Sequence, residues 1–189
     1  MKILSVAWLL LFAACEPGPG TPNEIGAEAM IVEGEACVSL VVKEVIPVGK
    51  VCLEVRKDVL RVRYATEDRW LVEAAHFWMD FGLESLPVNR AGAPILEWFP
   101  FVDEPVKRVN ELVFEVPLAD YGYDPHEDVC MPQGVYLMAQ ARVFRAISGG
   151  RFQRMEAFAQ GPRLREVGPP AMYFKRILNC GRNPDPTPW

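Results

Sequence analysis

The sequence predicts an all-β protein, a two-sheet antiparallel β-sandwich of roughly eight strands with one long proline- and glycine-rich loop. Three observations carry that expectation. Short runs alternate apolar and polar residues at every second position, the period of a half-buried strand. Turn-forming residues separate these runs at short intervals. No segment shows a convincing helical apolar period.

The runs follow in order. Val38 to Val45 is rich in β-branched residues and stops near Pro47. Val51, Leu53 and Val55 alternate with Cys52, Glu54 and Arg56, and Lys57-Asp58 suits a connecting turn into Leu60, Val62 and Tyr64. Trp70 to Met79 is a longer mixed run. Leu86 to Pro105 interleaves proline and glycine with apolar side chains and reads as a long packed loop. Leu112, Phe114 and Val116 alternate again. Val135 to Phe144 is apolar on both faces, which suits a central strand covered on each side. Met155 to Ala159 and Met172 to Leu178 complete the set.

The chain opens with Lys2, an apolar stretch from Ile3 to Phe12, then Ala13, Ala14 and Cys15. The charged-then-apolar order is that of a secretory signal, and it falls short of the ~20 apolar residues that span a bilayer. The segment resembles the bacterial lipobox, with Phe12 where leucine is usual. That resemblance implies cleavage before Cys15 and lipid on its sulfur. Residues 1–14 are therefore expected to be a lipoprotein signal peptide, and residues 15–34 a lipidated cysteine and flexible tether. The tether expectation rests on Glu16-Pro17-Gly18-Pro19-Gly20, since proline lacks a donor and glycine loses much chain entropy on folding. The β-sandwich domain is expected over 35–180 and a loose tail over 181–189.

The full chain has a net charge of −5, and removing the leader takes away one basic residue and no acidic one. An acidic chain is a poor partner for nucleic acid, whose binding depends on neutralising phosphates. Five cysteines become four once Cys15 carries lipid. An even number outside the cytosol suggests two disulfides, with three pairings open. The expected pairs are Cys37 with Cys52, stapling neighbouring strands, and Cys130 with Cys180, tying the closing strand to the middle of the domain. Neither C-x-x-C spacing nor a nearby histidine supports a zinc site.

Several segments together resemble a recurring secreted domain. They are "VGKVCLEVRKDVLRVRYATEDRWLVEAAHFWM", the loop "PVNRAGAPILEWFPF", "GVYLMAQARVF", "MEAFAQG" and "AMYFKRILNC". The resemblance spans about Val38 to Cys180. It implies an extracellular β-sandwich of bacterial lipoproteins and surface proteins, without an established activity and without catalytic residues to carry over. The chain departs from that pattern at four places. Gln140 stands for a histidine and Phe158 for a tryptophan, while Ala93 and Glu97 replace an asparagine and a glycine of the loop.

Two histidines limit acid–base chemistry. His76 would share a strand face with Trp78 and Asp80 and reads as a structural histidine bonded to a loop carbonyl. His126 lies in an acidic turn with Asp120, Asp124, Glu127 and Asp128, which reads as solvated since its spacing fits no EF-hand calcium loop. A G-x-S-x-G elbow is absent, and Ser39, Ser85 and Ser148 have no histidine nearby in sequence. No catalytic residue, metal or cofactor is expected. Trp70 and Trp78 read as core. Trp98, Phe99 and Phe101 on the proline loop are the candidate ligand-binding residues, because rigid rings stack on sugars or partner surfaces.

The expected function is a non-catalytic recognition or adhesion module of the bacterial cell envelope. It would be held to the membrane by its lipid anchor and bind a glycan or an envelope protein. The competing readings are a structural or assembly component of an envelope complex and a hydrolase of envelope polymer.

Overall fold

The computed structural model describes residues 30–32, 34–122, 129–166 and 170–179. The strands in chain order are β1 Met30–Val32, β2 Glu35–Val42, β3 Ile46–Arg56, β4 Val59–Thr66, β5 Leu71–Asp80, β6 Phe101–Asp103, β7 Glu111–Pro117, β8 Val129–Ile147, β9 Arg151–Ala159 and β10 Phe174–Asn179. Among the described residues only short 3-10 turns interrupt them, so the protein is all-β. Pairing is antiparallel except between β1 and β10. That first pairing brings Met30–Val32, inside the segment read as tether, into the sheet.

The expected pair of separate sheets is replaced by one sheet that nearly closes like a barrel. Its hydrogen-bonded path runs β5–β8–β9–β2–β3–β4–β7. Val72 in β5 and Val109, just ahead of β7, close it by exchanging both backbone hydrogen bonds at 2.6 and 3.1 Å. Tyr64 in β4 adds a tie through the interior, its hydroxyl donating to the His76 carbonyl at 2.9 Å. The physical reason for the joined sheet is β8. Its 19 residues take β10 along the first half and β9 along the second half of one edge, with β5 on the other edge. A strand shared in this way turns the corner that would otherwise separate two sheets.

Local chemistry explains the irregular points. Arg56 pairs with Val59 around the Lys57-Asp58 turn, with Lys57 left-handed at φ 56°. Pro47 sits where the β2–β3 register shifts, a place that needs no ladder donor. A Cβ on Gly49 would lie 2.1 Å from the Ala65 carbonyl oxygen, so β3 can approach β4 only with glycine there. Glu73 is the extra residue of a bulge between Val72 and Ala74. The long loop contains a short strand the alternation did not reveal, β6, whose Phe101 packs against Phe77 and Phe114.

Interior-facing residues such as Leu40, Val62, Phe77, Leu137 and Val143 fill the main core. A second, smaller cluster lies on the outside of the sheet. Trp78 and Met138 of β5 and β8 meet Leu86, Phe99 and Ala171, which come down from the segments that cover them. The central strand is thus covered on both faces, as its two-sided apolar run predicts.

Cys37 and Cys52 are register partners in β2 and β3, and their sulfurs form a disulfide with the Cα atoms 4.0 Å apart. Closing a loop of 15 residues is worth ~3 kcal/mol in the chain-entropy account. Cys15, Cys180 and the side chain of Cys130 lie outside the described residues, as do Asp124, His126, Glu127 and Asp128.

Candidate functional site: a covered pocket on the outer sheet face

Register alone assembles the site. His76 pairs with Gln140, Gln140 with Phe158, and Phe158 with Val41, so one row crosses β5, β8, β9 and β2. Directly paired residues project to the same side. The neighbouring row is Ala74, Arg142 and Glu156. Both rows face outward, away from the main core, beneath the long loop and the segment after β9.

A cavity of about 310 Å³ remains between this face and its cover. Val41, Phe158, Leu96, Pro94, Ala171 and Met172 make its walls apolar, and Lys43, Glu44 and Glu156 also line it. The cover is braced from both sides. Leu164 donates its backbone N–H to Ala171 at 2.7 Å, and the Asn89 side chain accepts from the backbone of Ala91 and Ala93 at 2.9 and 3.1 Å. The β2–β3 turn beside the cavity is held in an unusual form. Lys43 and Glu44 both lie in the left-handed region, at φ 50° and 68°, and Glu44 is gripped by the Arg163 guanidinium. Non-glycine residues occupy that region only when their surroundings impose it.

A polar relay runs from the buried face to the cavity. The Gln140 side-chain nitrogen donates to the Glu156 carboxylate. Its oxygen is then free to accept, and the His76 Nδ1 lies 2.7 Å from it. His76 is therefore assigned as the neutral ring with its proton on Nδ1. Burial, the leading cause, holds the His76 pKa below its ordinary value, while the bond to Gln140 works in the opposite direction. Burial also pushes the Glu156 carboxyl up, against the pull of Arg142. The relay satisfies the buried His76 and Gln140 side chains, each of which would otherwise cost ~1–3 kcal/mol, and ends on Glu156, which reaches solvent.

Next to the relay, the bulge residue Glu73 collects three guanidinium groups. Arg108 donates to its Oε1 at 3.1 and 2.7 Å, Arg154 donates to the same oxygen at 2.8 Å, and the Arg154 Nε lies 2.5 Å from Oε2. The Arg142 Nε is 3.1 Å from Oε2 but is not aligned for a hydrogen bond, so this contact is an ion pair only. Arg154 first, then Arg108, hold the Glu73 pKa down to about 2 against the effect of burial. This knot links the segment before β7 with β5, β8 and β9, across the line where the barrel closes.

The aromatic candidates separate. Trp98 is exposed, at 70% of its free area, whereas Phe99 is buried at 4% in the outer cluster. Phe101 packs toward the main core. The three rings therefore do not share one surface. Trp70 and Trp78 are buried. His76 is buried, with a side-chain amide as its partner rather than the expected loop carbonyl. Glu35 lies beside Cys37 and Cys52, but both sulfurs are used in the disulfide.

The pocket residues Val41, Lys43, Leu96, Glu156 and Met172 carry no motif, and pattern reasoning passes over them. A signal was nonetheless present. Gln140, a polar residue inside an otherwise apolar run, bonds the lining residue Glu156. No protein-family model matches the chain, and no curated protein or solved structure matches it either.

Proposed function

We propose that the protein is a non-catalytic recognition module of a bacterial cell envelope, anchored through lipid on Cys15, that captures its ligand in the outer-face pocket. The observation that carries this reading is the preformed cavity of about 310 Å³. It has the size and apolar lining of a small binding site, with a few polar groups placed at it. A concave apolar pocket whose rim is held by bonded segments is the geometry that takes up an apolar group of a ligand.

The lining favours an apolar group of a protein or amphiphile over a sugar. Sugar stacking needs several exposed ring faces, and Trp98 stands alone as the exposed ring of the three candidates.

The test compares the full chain with Ala93→Trp, which fills the cavity, on a glycan array and on an array of extended peptides. Ligands that bind the parent and not the filled variant establish the pocket as the recognition site. Binding that survives the filling, or none in either form, overturns this reading.

A further inference from the structure

Strand β9 is paired along only part of one edge. β8 covers its other edge from Arg151 to Phe158. On this edge β2 meets only Ala157, Phe158 and Ala159, because β2 ends at Val42 and the chain turns away through Lys43, Glu44 and Val45. Among the described residues no strand pairs with 151–156 there. Their backbone groups on that side form an open edge, which folded proteins usually blunt with charge, proline or a covering segment. The charge best placed to blunt it, Arg154, is drawn onto Glu73 instead.

The open edge starts at the cavity. Glu156 belongs to both, and Lys43, which would continue the β2 ladder opposite it, also lines the cavity. At the far end Phe152 is 68% exposed and stacks on Phe144 with ring centroids 5.1 Å apart. Lys43 and Arg151 bracket the edge, and neither has an ion pair among the described residues. An unpaired strand edge, an apolar pocket at one end and, at each end, a cation without an ion pair among the described residues all point to the same kind of occupant.

We propose that this edge and the cavity together dock an extended segment of a partner protein, which adds as a strand to β9. The segment runs for about six residues, or ~20 Å. It places an apolar side chain in the cavity and acidic residues near Lys43 and Arg151. Main-chain hydrogen bonds supply affinity in such strand addition, and the pocket and charges supply specificity. The proposal rests on the recognition reading and names its ligand class.

The test pans a random dodecamer display library on the full chain and then measures hydrogen exchange with the selected peptide. The expected selection is an apolar residue flanked by acidic ones. Binding should fall roughly tenfold in Lys43→Glu/Arg151→Glu, two exposed residues whose change leaves the fold intact, and be lost in Ala93→Trp. Amides of 151–156 should exchange freely alone and slow at least about tenfold on binding. Three results would each overturn the proposal: no enrichment, enriched peptides indifferent to these variants, or amides of 151–156 already protected in the free chain by its own segments. A glycan that binds only the unfilled pocket, with no peptide selected, sinks the strand proposal and leaves the recognition reading standing. Loss of all pocket-dependent binding sinks both.

Discussion

Strands β5, β8 and β9 present two very different faces. Their inner face carries Ala75, Phe77, Ala139, Ala141, Ala157 and Ala159, all buried, and merges with the main core. Their outer face carries Trp78, His76, Gln140, Arg142, Glu156 and Phe158, with polar groups in bonded chains and a cavity left under the cover. Small residues on the inner face allow close approach across the barrel, and only apolar packing is asked of them. On the outer face a strand run has been spent on partners that a core does not need. The comparison separates what holds the fold from what the fold is available to hold.

Phenylalanine truncation tests that division most strongly. Phe77 is fully buried in the main core, and Phe77→Ala should cost about 4 kcal/mol. Phe99 is nearly as buried, but it comes from a covering loop that can settle onto the strands beneath it, so Phe99→Ala should cost about 2 kcal/mol. Urea unfolding of both variants measures the difference. Equal losses would mean that the outer cluster is a core like the other.

Gln140→Leu keeps the size and removes the relay. His76 then loses its partner in a buried setting, whereas the exposed Glu156 can turn to water. The expected loss is about 2 kcal/mol at neutral pH, again by urea unfolding. A neutral outcome would show that water reaches His76 as well and that the outer face is wetter than its burial suggests.

The Glu73 knot predicts an acid limb. Its carboxyl is held at about 2, below an unfolded value of 4.5, so its contribution is complete above pH 4.5 and is lost as pH falls toward 2. The largest cause, Arg154, has a side chain 58% exposed, and solvent screening reduces the effect to roughly 1–2 kcal/mol. Glu73→Gln should therefore flatten the decline in stability between pH 4.5 and 2. His76 gives a shallower slope of the same sign at higher pH. Its folded pKa lies below 6.5, so its share is lost as pH falls below that value.

Much of the fold was legible because strand alternation is a local signal. Leu112, Phe114 and Val116 alternate in the sequence and line one face of β7. Closure was not legible, since it depends on Val72 meeting Val109 and on how far β8 extends beyond its apolar middle. The disulfide between Cys37 and Cys52 was readable from neighbouring strands in a way that register then made definite. The pocket was nearly silent. Its walls come from four separated segments, and Val41 or Met172 looks in sequence like any core residue. The legible hint was a polar pair, Gln140 and Arg142, set inside a run apolar on both faces. Such residues are tolerated in a covered strand only when something on that face bonds them.

Trp98 carries the smallest expected effect and the clearest discrimination. It is the most exposed ring of the long loop, and it is the residue that sequence reasoning selects for ligand contact. It lines neither the cavity nor the outer cluster. Removing an exposed side chain that braces nothing changes stability by less than about 0.5 kcal/mol. If the pocket is the site, Trp98→Ala should leave the affinity of a pocket-dependent ligand within about threefold, whereas Ala93→Trp abolishes binding. If Trp98→Ala removes binding while the filled pocket is tolerated, the loop ring is the recognition surface and the cavity is a packing defect beneath it. The two variants lie on the same covering loop, only a few residues apart, so a titration of both separates a site made by one residue from a site whose walls come from four separated segments.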